Sequence, residues 1–299
     1  MEVGIGDDAA VLAAPDGRVV AATDMVIEGR HFRREWSPAR DVGRKAAARN
    51  LADVAAMGAR PTGLLVALAA PGGTPAGWAL ELAEGIAAEA SRAGAAVVGG
   101  DTSSADAIMI AVTALGDLGG RPPVTRAGAR PGDVVAIAGT LGLAAAGLAL
   151  LAAGLGAAAA DPLASLVLAH RRPRPPYQAG PEAAVLGATS MIDVSDGLLA
   201  DLGHVASASA VAIDLRAASL LAEPVTRPAR LREAAAATGE RDWTRWVLAG
   251  GDDHALVATF PADAPLPRRW HAIGRVGSGA GILVDGRPAG RGGGWEHFR

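Results

Sequence analysis

The sequence has no cysteine, a single lysine and few aromatic residues. Without Cys the chain cannot form disulfides, thiolate nucleophiles, iron–sulfur clusters or cysteine-based zinc sites. Lys45 lies in no glycine-rich loop, which argues against a P-loop kinase, and we expect it to be a surface charge on a helix. Aromatic residues make up 3% of the chain, so small aliphatic side chains must build the core.

Charge and hydropathy exclude two further classes of protein. The net charge of -3 and the lack of a basic, aromatic stripe argue against a nucleic-acid partner. No signal peptide is visible at the start of the sequence, and we expect a cytoplasmic protein. Residues 134–160 carry no charge, but this run is rich in Ala and Gly and is typical of a strand, a turn and a helix. We therefore expect no membrane segment.

The length of 299 residues suits two domains. The best linker is Gly-Gly-Arg-Pro-Pro at residues 119–123, which predicts domains at 1–120 and 121–299. In the first half, strands at 19–22, 64–69, 95–98 and 108–115 alternate with helices at 44–57 and 76–93. This order predicts an α+β sandwich with helices on one face of a sheet. In the second half, we expect strands at 134–138, 191–194, 211–215 and 255–260, a helix at 198–207 and a loop at 286–294.

Aspartates stand out against this background, and most follow a predicted strand or a glycine turn. They are Asp7, Asp8, Asp24, Asp53, Asp101, Asp193, Asp196, Asp252 and Asp253. Taken singly, each has a structural explanation: Ser195 or Asp196 could cap the next helix, and Asp53 could pair with Arg49. Taken together they indicate a metal. Asp53 shares a helix face with Asn50 and Met57 where a carboxylate needs a cation or donors. Since no His/Cys cluster accompanies the acids, the expected ion is Mg²⁺, and Mg²⁺ with few protein ligands points to a nucleotide.

Ordered motifs along nearly the whole chain carry a resemblance to a known family. They are Gly-Ile-Gly-Asp-Asp at residues 4–8, Thr-Asp at 23–24, His-Phe at 31–32, Asn-Leu-Ala-Asp at 50–53, Gly-Gly-Asp-Thr at 99–102, Thr-Arg-Ala-Gly at 125–128, Asp-Val-Ser-Asp-Gly at 193–197 and Trp-Glu-His-Phe at 295–298. In order and spacing this set resembles the thiamine-monophosphate kinase family, which belongs with aminoimidazole ribonucleotide synthetase and selenophosphate synthetase.

The resemblance implies a fold and an activity. The fold is two-domain α+β: an N-terminal α/β sandwich that binds ATP and Mg²⁺ and dimerises through its sheet, and a C-terminal α/β domain that completes the nucleotide and substrate site. The implied activity is ATP-dependent phosphorylation of thiamine monophosphate to thiamine diphosphate by direct in-line transfer. Several Mg²⁺ ions would assist the transfer, and the enzyme would be a homodimer.

The resemblance also implies roles for individual residues. The implied metal ligands are Asp8, Thr23, Asp24, Asp53, Asp101, Asp193 and Asp196. The implied ATP contacts are Gly100, Asp101, Arg126 and Ser195, and the implied substrate contacts are His31, Asp252 and Trp295. No general base is expected because the acceptor phosphate is already ionised near neutral pH, and no convincing His–Asp dyad is visible in the sequence.

Departures from the family pattern keep alternatives open. The family normally has a longer segment before the motif at residues 4–8, and it usually shows Gly-Gly-Glu-Asp where this chain has Gly-Gly-Asp-Asp at 250–253. His254 stands where an aromatic residue is common. The alternatives are another ATP-dependent synthetase of the superfamily, of the aminoimidazole ribonucleotide synthetase type, and a nucleotide-binding scaffold that has lost catalysis.

Overall fold

A computed structural model describes residues 12–155 and 163–289 of the chain. Asp7, Asp8 and Trp295, all singled out by the sequence, lie outside these residues. The chain divides into two compact units, Met1–Pro123 and Val124–Arg299, which we call the N-terminal and C-terminal units. Within the described residues, every helix is too short or too polar to span a bilayer.

The N-terminal unit combines a four-stranded sheet with two long helices. Its elements are β1 (Val20–Ile27), α1 (Ala39–Ala56), β2 (Arg60–Ala70), α2 (Ala76–Ala93), β3 (Ala96–Ser104) and β4 (Met109–Asp117). The strands lie in the order β1-β4-β2-β3, with β4 antiparallel to both neighbours and β2 parallel to β3.

One face of this sheet is covered by helices and the other is open. Ile110, Val112 and Ala114 on β4 are fully buried, whereas Met25 and Leu65 on the other face are 42% and 40% exposed. The two helices approach each other so closely that a Cβ at Gly43 on α1 would lie 2.1 Å from the Leu82 carbonyl oxygen on α2. The predicted sandwich with helices on one face is confirmed.

The C-terminal unit contains a seven-stranded mixed sheet flanked by shorter helices. Its elements are β5 (Val134–Ala138), α3 (Leu143–Ala152), α4 (Ala164–Arg171), α5 (Ala179–Val185), β6 (Ser190–Asp193), α6 (Leu198–Ser209), β7 (Ala212–Leu215), α7 (Ala217–Leu220), α8 (Pro228–Thr238), α9 (Thr244–Ala249), β8 (Leu256–Phe260), β9 (His271–Gly277), β10 (Gly281–Val284) and β11 (Arg287–Pro288). The strand order is β11-β10-β7-β9-β5-β8-β6. The centre of the sheet is apolar, with Ile137 and Phe260 fully buried.

Several sequence expectations need correction. Thr23 and Asp24 lie in the middle of β1 and Asp101 lies inside β3, not after the strands, because pairing with β4 and β2 continues through these polar residues. Residues 287–288 form a short strand against β10 where a loop was expected. Lys45 is not a surface charge: it faces the interior on α1 and is only 3% exposed.

Candidate functional site

Two loops of the C-terminal unit are tied together by backbone hydrogen bonds. The first, residues 194–197, joins β6 to α6, and the second, residues 250–255, joins α9 to β8. The Asp252 N–H donates to the Ser195 carbonyl at 2.8 Å, and the His254 N–H donates to the Val194 carbonyl at 2.8 Å. A Cβ at Gly251 would lie 2.5 Å from the Ser195 carbonyl oxygen, so the close approach requires glycine.

This pairing brings together four residues that the sequence singled out. Asp193 ends β6 and is 5% exposed, Ser195 and Asp196 are half-buried in the first loop, and Asp252 lies in the second. As expected from the pattern of strand followed by loop, all four lie beyond or at the end of an element. The two loops therefore form one local cluster of oxygen donors.

Asp201 holds the first loop in shape and was missed by the sequence analysis. Its Oδ2 accepts the N–H groups of Ser195, Asp196 and Gly197 at 3.0, 3.1 and 3.1 Å. Neither Ser195 nor Asp196 caps α6, whose first residue follows Gly197 without a side-chain cap. The available signal was an acid in the first turn of a helix, where it can reach back to free amides at the N-terminus.

The negatively charged carboxylates of this cluster repel one another. Burial, followed by the nearby charges of Asp193 and Asp196, raises the pKa of Asp201 from 3.8 to about 7, although the backbone hydrogen bonds act in the opposite direction. Adjacent carboxylates in a partly buried place are costly unless a cation or donors compensate them. The cluster thus has the donor chemistry of a hard, oxygen-binding cation.

A buried histidine contacts the Asp193 carboxylate. His254 is 1% exposed, and its Nδ1 lies 3.0 Å from Asp193 Oδ2, while its Nε2 lies 3.8 Å from Asp252 Oδ1. This His–Asp contact is not visible in the sequence because the two residues are 61 positions apart. The expectation that no general base is needed stays a prediction.

Asp253, the residue before His254, contacts the start of helix α3. Its carboxylate accepts the N–H groups of Gly142 and Ala144, at 2.5 and 3.0 Å, and so caps the start of α3. Burial raises the pKa of Asp253, and because these hydrogen bonds offset part of the rise, the pKa is about 7. The carboxylate of Asp253 is therefore engaged within the fold.

Arg126 lies on a short exposed segment whose backbone is firmly held. Ser209 at the end of α6 donates its hydroxyl to the Arg126 carbonyl at 3.1 Å and accepts the Gly128 and Ala129 N–H groups. The Met191 N–H also donates to the Thr125 carbonyl at 3.1 Å. The guanidinium of Arg126 is thus presented to solvent from a fixed backbone, as an anion-binding side chain requires.

In the N-terminal unit the predicted residues are more dispersed. Asp24 on β1 faces α1, where Arg49 Nε donates to its Oδ2 at 2.6 Å. Asp53 lies one helical turn beyond Arg49 on α1 and is half-buried. Thr23 points to the other face and shares a hydrogen bond of 3.1 Å with the Thr113 hydroxyl.

Asp101 is separated from Asp24 within this unit. Asp101 pairs with Ala67, and through the sheet it shares a row with Ala111 and Met25. Since neighbouring residues of a strand alternate between faces, Asp101 and Asp24 occupy opposite faces at opposite edges, roughly 14 Å apart across three strand spacings. The structure does not bring these two predicted ligands together within one N-terminal unit.

Gly100 and Asp101 line a pocket at the β3 edge. Its volume is ≈ 640 Å³, and apolar residues of β2 and α2, including Val66, Leu80 and Ile86, form most of its wall. A Cβ at Gly100 would lie 2.0 Å from the Val66 carbonyl oxygen, so this position also has a structural need for glycine. The size falls within the range of small-molecule pockets.

His31 is held in the turn after β1. Its Nδ1 accepts the Ile27 N–H at 3.1 Å, and the next residue, Phe32, is buried against Trp78 with ring centroids 6.5 Å apart. The anchored Phe32 fixes the turn, and His31 remains half-buried beside it.

The described residues contain no group of three or more His, Cys, Asp or Glu side chains arranged to hold a metal ion. Asp193, Ser195 and Asp196 share one cluster, whereas Thr23, Asp24, Asp53 and Asp101 are distributed over a helix and two edge strands. Their oxygen chemistry fits Mg²⁺, and the ligand set stays a prediction.

Comparison with known proteins places this arrangement in a family. Residues 6–118 match the family model described as AIR synthase related protein, N-terminal domain. The thiamine-monophosphate kinase of Mycobacterium tuberculosis is 51% identical over 297 residues, covering 99% of this chain and 86% of the relative.

Solved structures of thiamine-monophosphate kinases have a similar fold. A thiamine-monophosphate kinase from Stenotrophomonas maltophilia superposes with a TM-score of 0.84 at 37% identity, covering 96% of this chain and 92% of that one. AaThiL complexed with AMPPCP and TMP superposes with a TM-score of 0.86 at 32% identity, covering 98% and 92%. The chain belongs to the thiamine-monophosphate kinase family.

Proposed function

We propose that the protein transfers the γ-phosphoryl group of ATP to thiamine monophosphate, giving thiamine diphosphate. The observation that carries this proposal is the 51% identity to a thiamine-monophosphate kinase over 99% of the chain. The related AaThiL complex, which contains AMPPCP and TMP, supports the same pair of substrates.

The residues of the C-terminal unit suit this chemistry. Transfer between two phosphates requires positioning and charge compensation more than proton transfer, because the acceptor oxygen is already ionised. Asp193 and Asp196 are the carboxylates that we assign to Mg²⁺, with Ser195 as an ATP contact and Arg126 as a fork of donors to phosphate. When bound, Mg²⁺ would offset the negative charge of the phosphates.

The N-terminal unit supplies a second set of proposed contacts. Thr23, Asp24, Asp53 and Asp101, with Asp8 outside the described residues, are the further carboxylate and hydroxyl ligands that we assign to Mg²⁺. The pocket beside Gly100 and Asp101 is lined mainly by apolar residues, which a nucleotide base can contact, and this lining supports an ATP contact there. His31, Asp252 and Trp295 are the proposed contacts to thiamine phosphate.

The open face of the N-terminal sheet supports a homodimer. Met25 and Leu65 are large apolar side chains exposed on that face, and such a face is normally covered. Met25→Asp with Leu65→Asp should convert a dimer to a monomer in light scattering, whereas Val185→Asp, at an exposed residue of α5, should not. A wild-type monomer would contradict this assignment.

The proposed activity is tested by incubating the protein with ATP, Mg²⁺ and thiamine phosphate and separating the oxidised thiochromes by fluorescence HPLC. Wild type should form thiamine diphosphate, and Asp193→Asn should lower kcat/KM by about 100-fold or more. Asp263→Asn, at an exposed aspartate of the same unit, is the matched control. No product from a protein that binds Mg²⁺ and AMPPCP would overturn the kinase assignment and favour a synthetase or a scaffold.

A further inference from the structure

The contact between His254 and Asp193 joins two buried side chains, with Nδ1 of His254 3.0 Å from Asp193 Oδ2. A carboxylate that binds a cation is ionised and can only accept hydrogen bonds, so Nδ1 is the donor when Asp193 acts as a metal ligand. Both side chains are buried, with exposed fractions of 2% for His254 and 6% for Asp193, which leaves water little access to the pair. The imidazole therefore restricts the rotation of the Asp193 carboxylate.

The other ring nitrogen is directed toward a second candidate site residue. Nε2 of His254 is buried and forms no hydrogen bond to another described residue, and it lies 3.8 Å from Asp252 Oδ1. One imidazole thus lies between the carboxylates of Asp193 and Asp252.

The backbone that carries the imidazole is in an uncommon conformation. Asp252 has φ +64° and His254 has φ +51°, both in the left-handed region that is strained for a non-glycine residue. The hydrogen bonds to Ser195 and Val194 hold both residues there. The loop therefore places the ring against Asp193 in spite of local strain.

We propose that His254 is a positioning residue that orients Asp193 for Mg²⁺. Its Nδ1–H fixes Oδ2 and leaves Oδ1 of the same carboxylate for the cation, and carboxylates that bind metals are commonly held by such hydrogen bonds. This inference rests on the proposed function, because Asp193 is assigned to Mg²⁺ there.

Two substitutions separate the hydrogen bond from the bulk of the ring. In His254→Asn the amide nitrogen can take the place of Nδ1, and Asn tolerates the left-handed conformation. In His254→Gln the amide extends toward the position of Nε2, and the donor beside Asp193 is lost. The same pair at His204, an exposed residue of α6, serves as the control.

We would use calorimetry to measure the Mg²⁺ concentration that gives half-maximal binding of AMPPCP. We expect His254→Gln to raise this concentration by about 10- to 100-fold and His254→Asn to restore it to within about threefold of wild type. Equal effects of Asn and Gln, or no effect of either, would overturn the positioning role.

A measurement on the wild-type protein needs no variant. Long-range ¹H–¹⁵N correlation of the imidazole should find the His254 hydrogen on Nδ1, and a neutral ring with its hydrogen on Nε2 would contradict the proposal. Because binding of AMPPCP is the readout, a failure of the kinase assay alone would overturn the proposed function without deciding the role of His254.

Discussion

The two units hold their predicted site residues in different ways. In the C-terminal unit two loops are joined through backbone hydrogen bonds, with Asp201 and His254 fixing the carboxylates and amides. In the N-terminal unit the predicted ligands are dispersed over a helix and two edge strands. Asp24 and Asp101 lie on opposite faces and edges of the sheet, and Arg49 already engages Asp24. The C-terminal cluster is therefore assembled within its own unit, whereas Asp24 and Asp101 are not adjacent within theirs.

Of the changes that test this difference between the units, removal of the Asp201 carboxylate should have the largest effect on stability and activity. Asp201→Ala leaves three amides without their acceptor, which should cost about 3 kcal/mol of unfolding free energy and most of the kinase activity. Asp201→Asn keeps an acceptor oxygen and should lie within about 1 kcal/mol of wild type. Denaturant unfolding and the thiochrome assay measure both, and equal losses in the two variants would contradict the role of the carboxylate oxygen.

A methyl group between the two loops should have the next largest effect. Gly251→Ala places a Cβ 2.5 Å from the Ser195 carbonyl and should cost about 1–3 kcal/mol. Gly203→Ala on α6 meets no atom within 4 Å and should stabilise the protein by up to about 1 kcal/mol, as expected for Gly to Ala in a helix. Thermal unfolding compares the two, and an unaffected Gly251→Ala protein would show that the loops are not in close contact.

Double-mutant cycles compare the units directly. Asp193→Asn with His254→Gln should show a coupling of about 0.5–3 kcal/mol in unfolding free energy, because the side chains are in contact. Asp24→Asn with Asp101→Asn should be additive within about 0.5 kcal/mol, because the residues share no partner in the sheet. Strong coupling of Asp24 and Asp101 would indicate that another chain or unit joins them.

A separate effect is expected in the pH dependence of stability, through Asp253. Its pKa in the folded protein is raised from 3.8 to about 7, so its contribution to stability is full below pH 4 and is lost as the pH rises through 7. Asp253→Asn should flatten this part of the pH profile, and the stability difference between wild type and variant should shift against wild type from pH 4 to 8. A parallel pair of profiles would contradict the raised pKa.

The sequence predicted local structure well where one pattern determines it. The helix over 76–93 and the strand over 134–138 have the same bounds in the structure, since apolar spacing and flanking Gly and Pro define both. Thr23, Asp24 and Asp101 were misplaced after strands because polar residues within an edge strand resemble the start of a loop. The Asp193–His254 pair and the amides bound by Asp201 depend on contacts that no local pattern encodes.

Amide hydrogen exchange in the protein without nucleotide tests the central claim, that the two loops of the C-terminal unit are assembled before any ligand binds. We predict that the amides of Ser195, Asp196, Gly197, Asp252 and His254 exchange slowly, because each donates to a carboxylate or carbonyl. Addition of Mg²⁺ and AMPPCP should change their rates only slightly. Exchange of these amides at the rate of an unfolded chain, with protection only after Mg²⁺ and AMPPCP are added, would contradict the account.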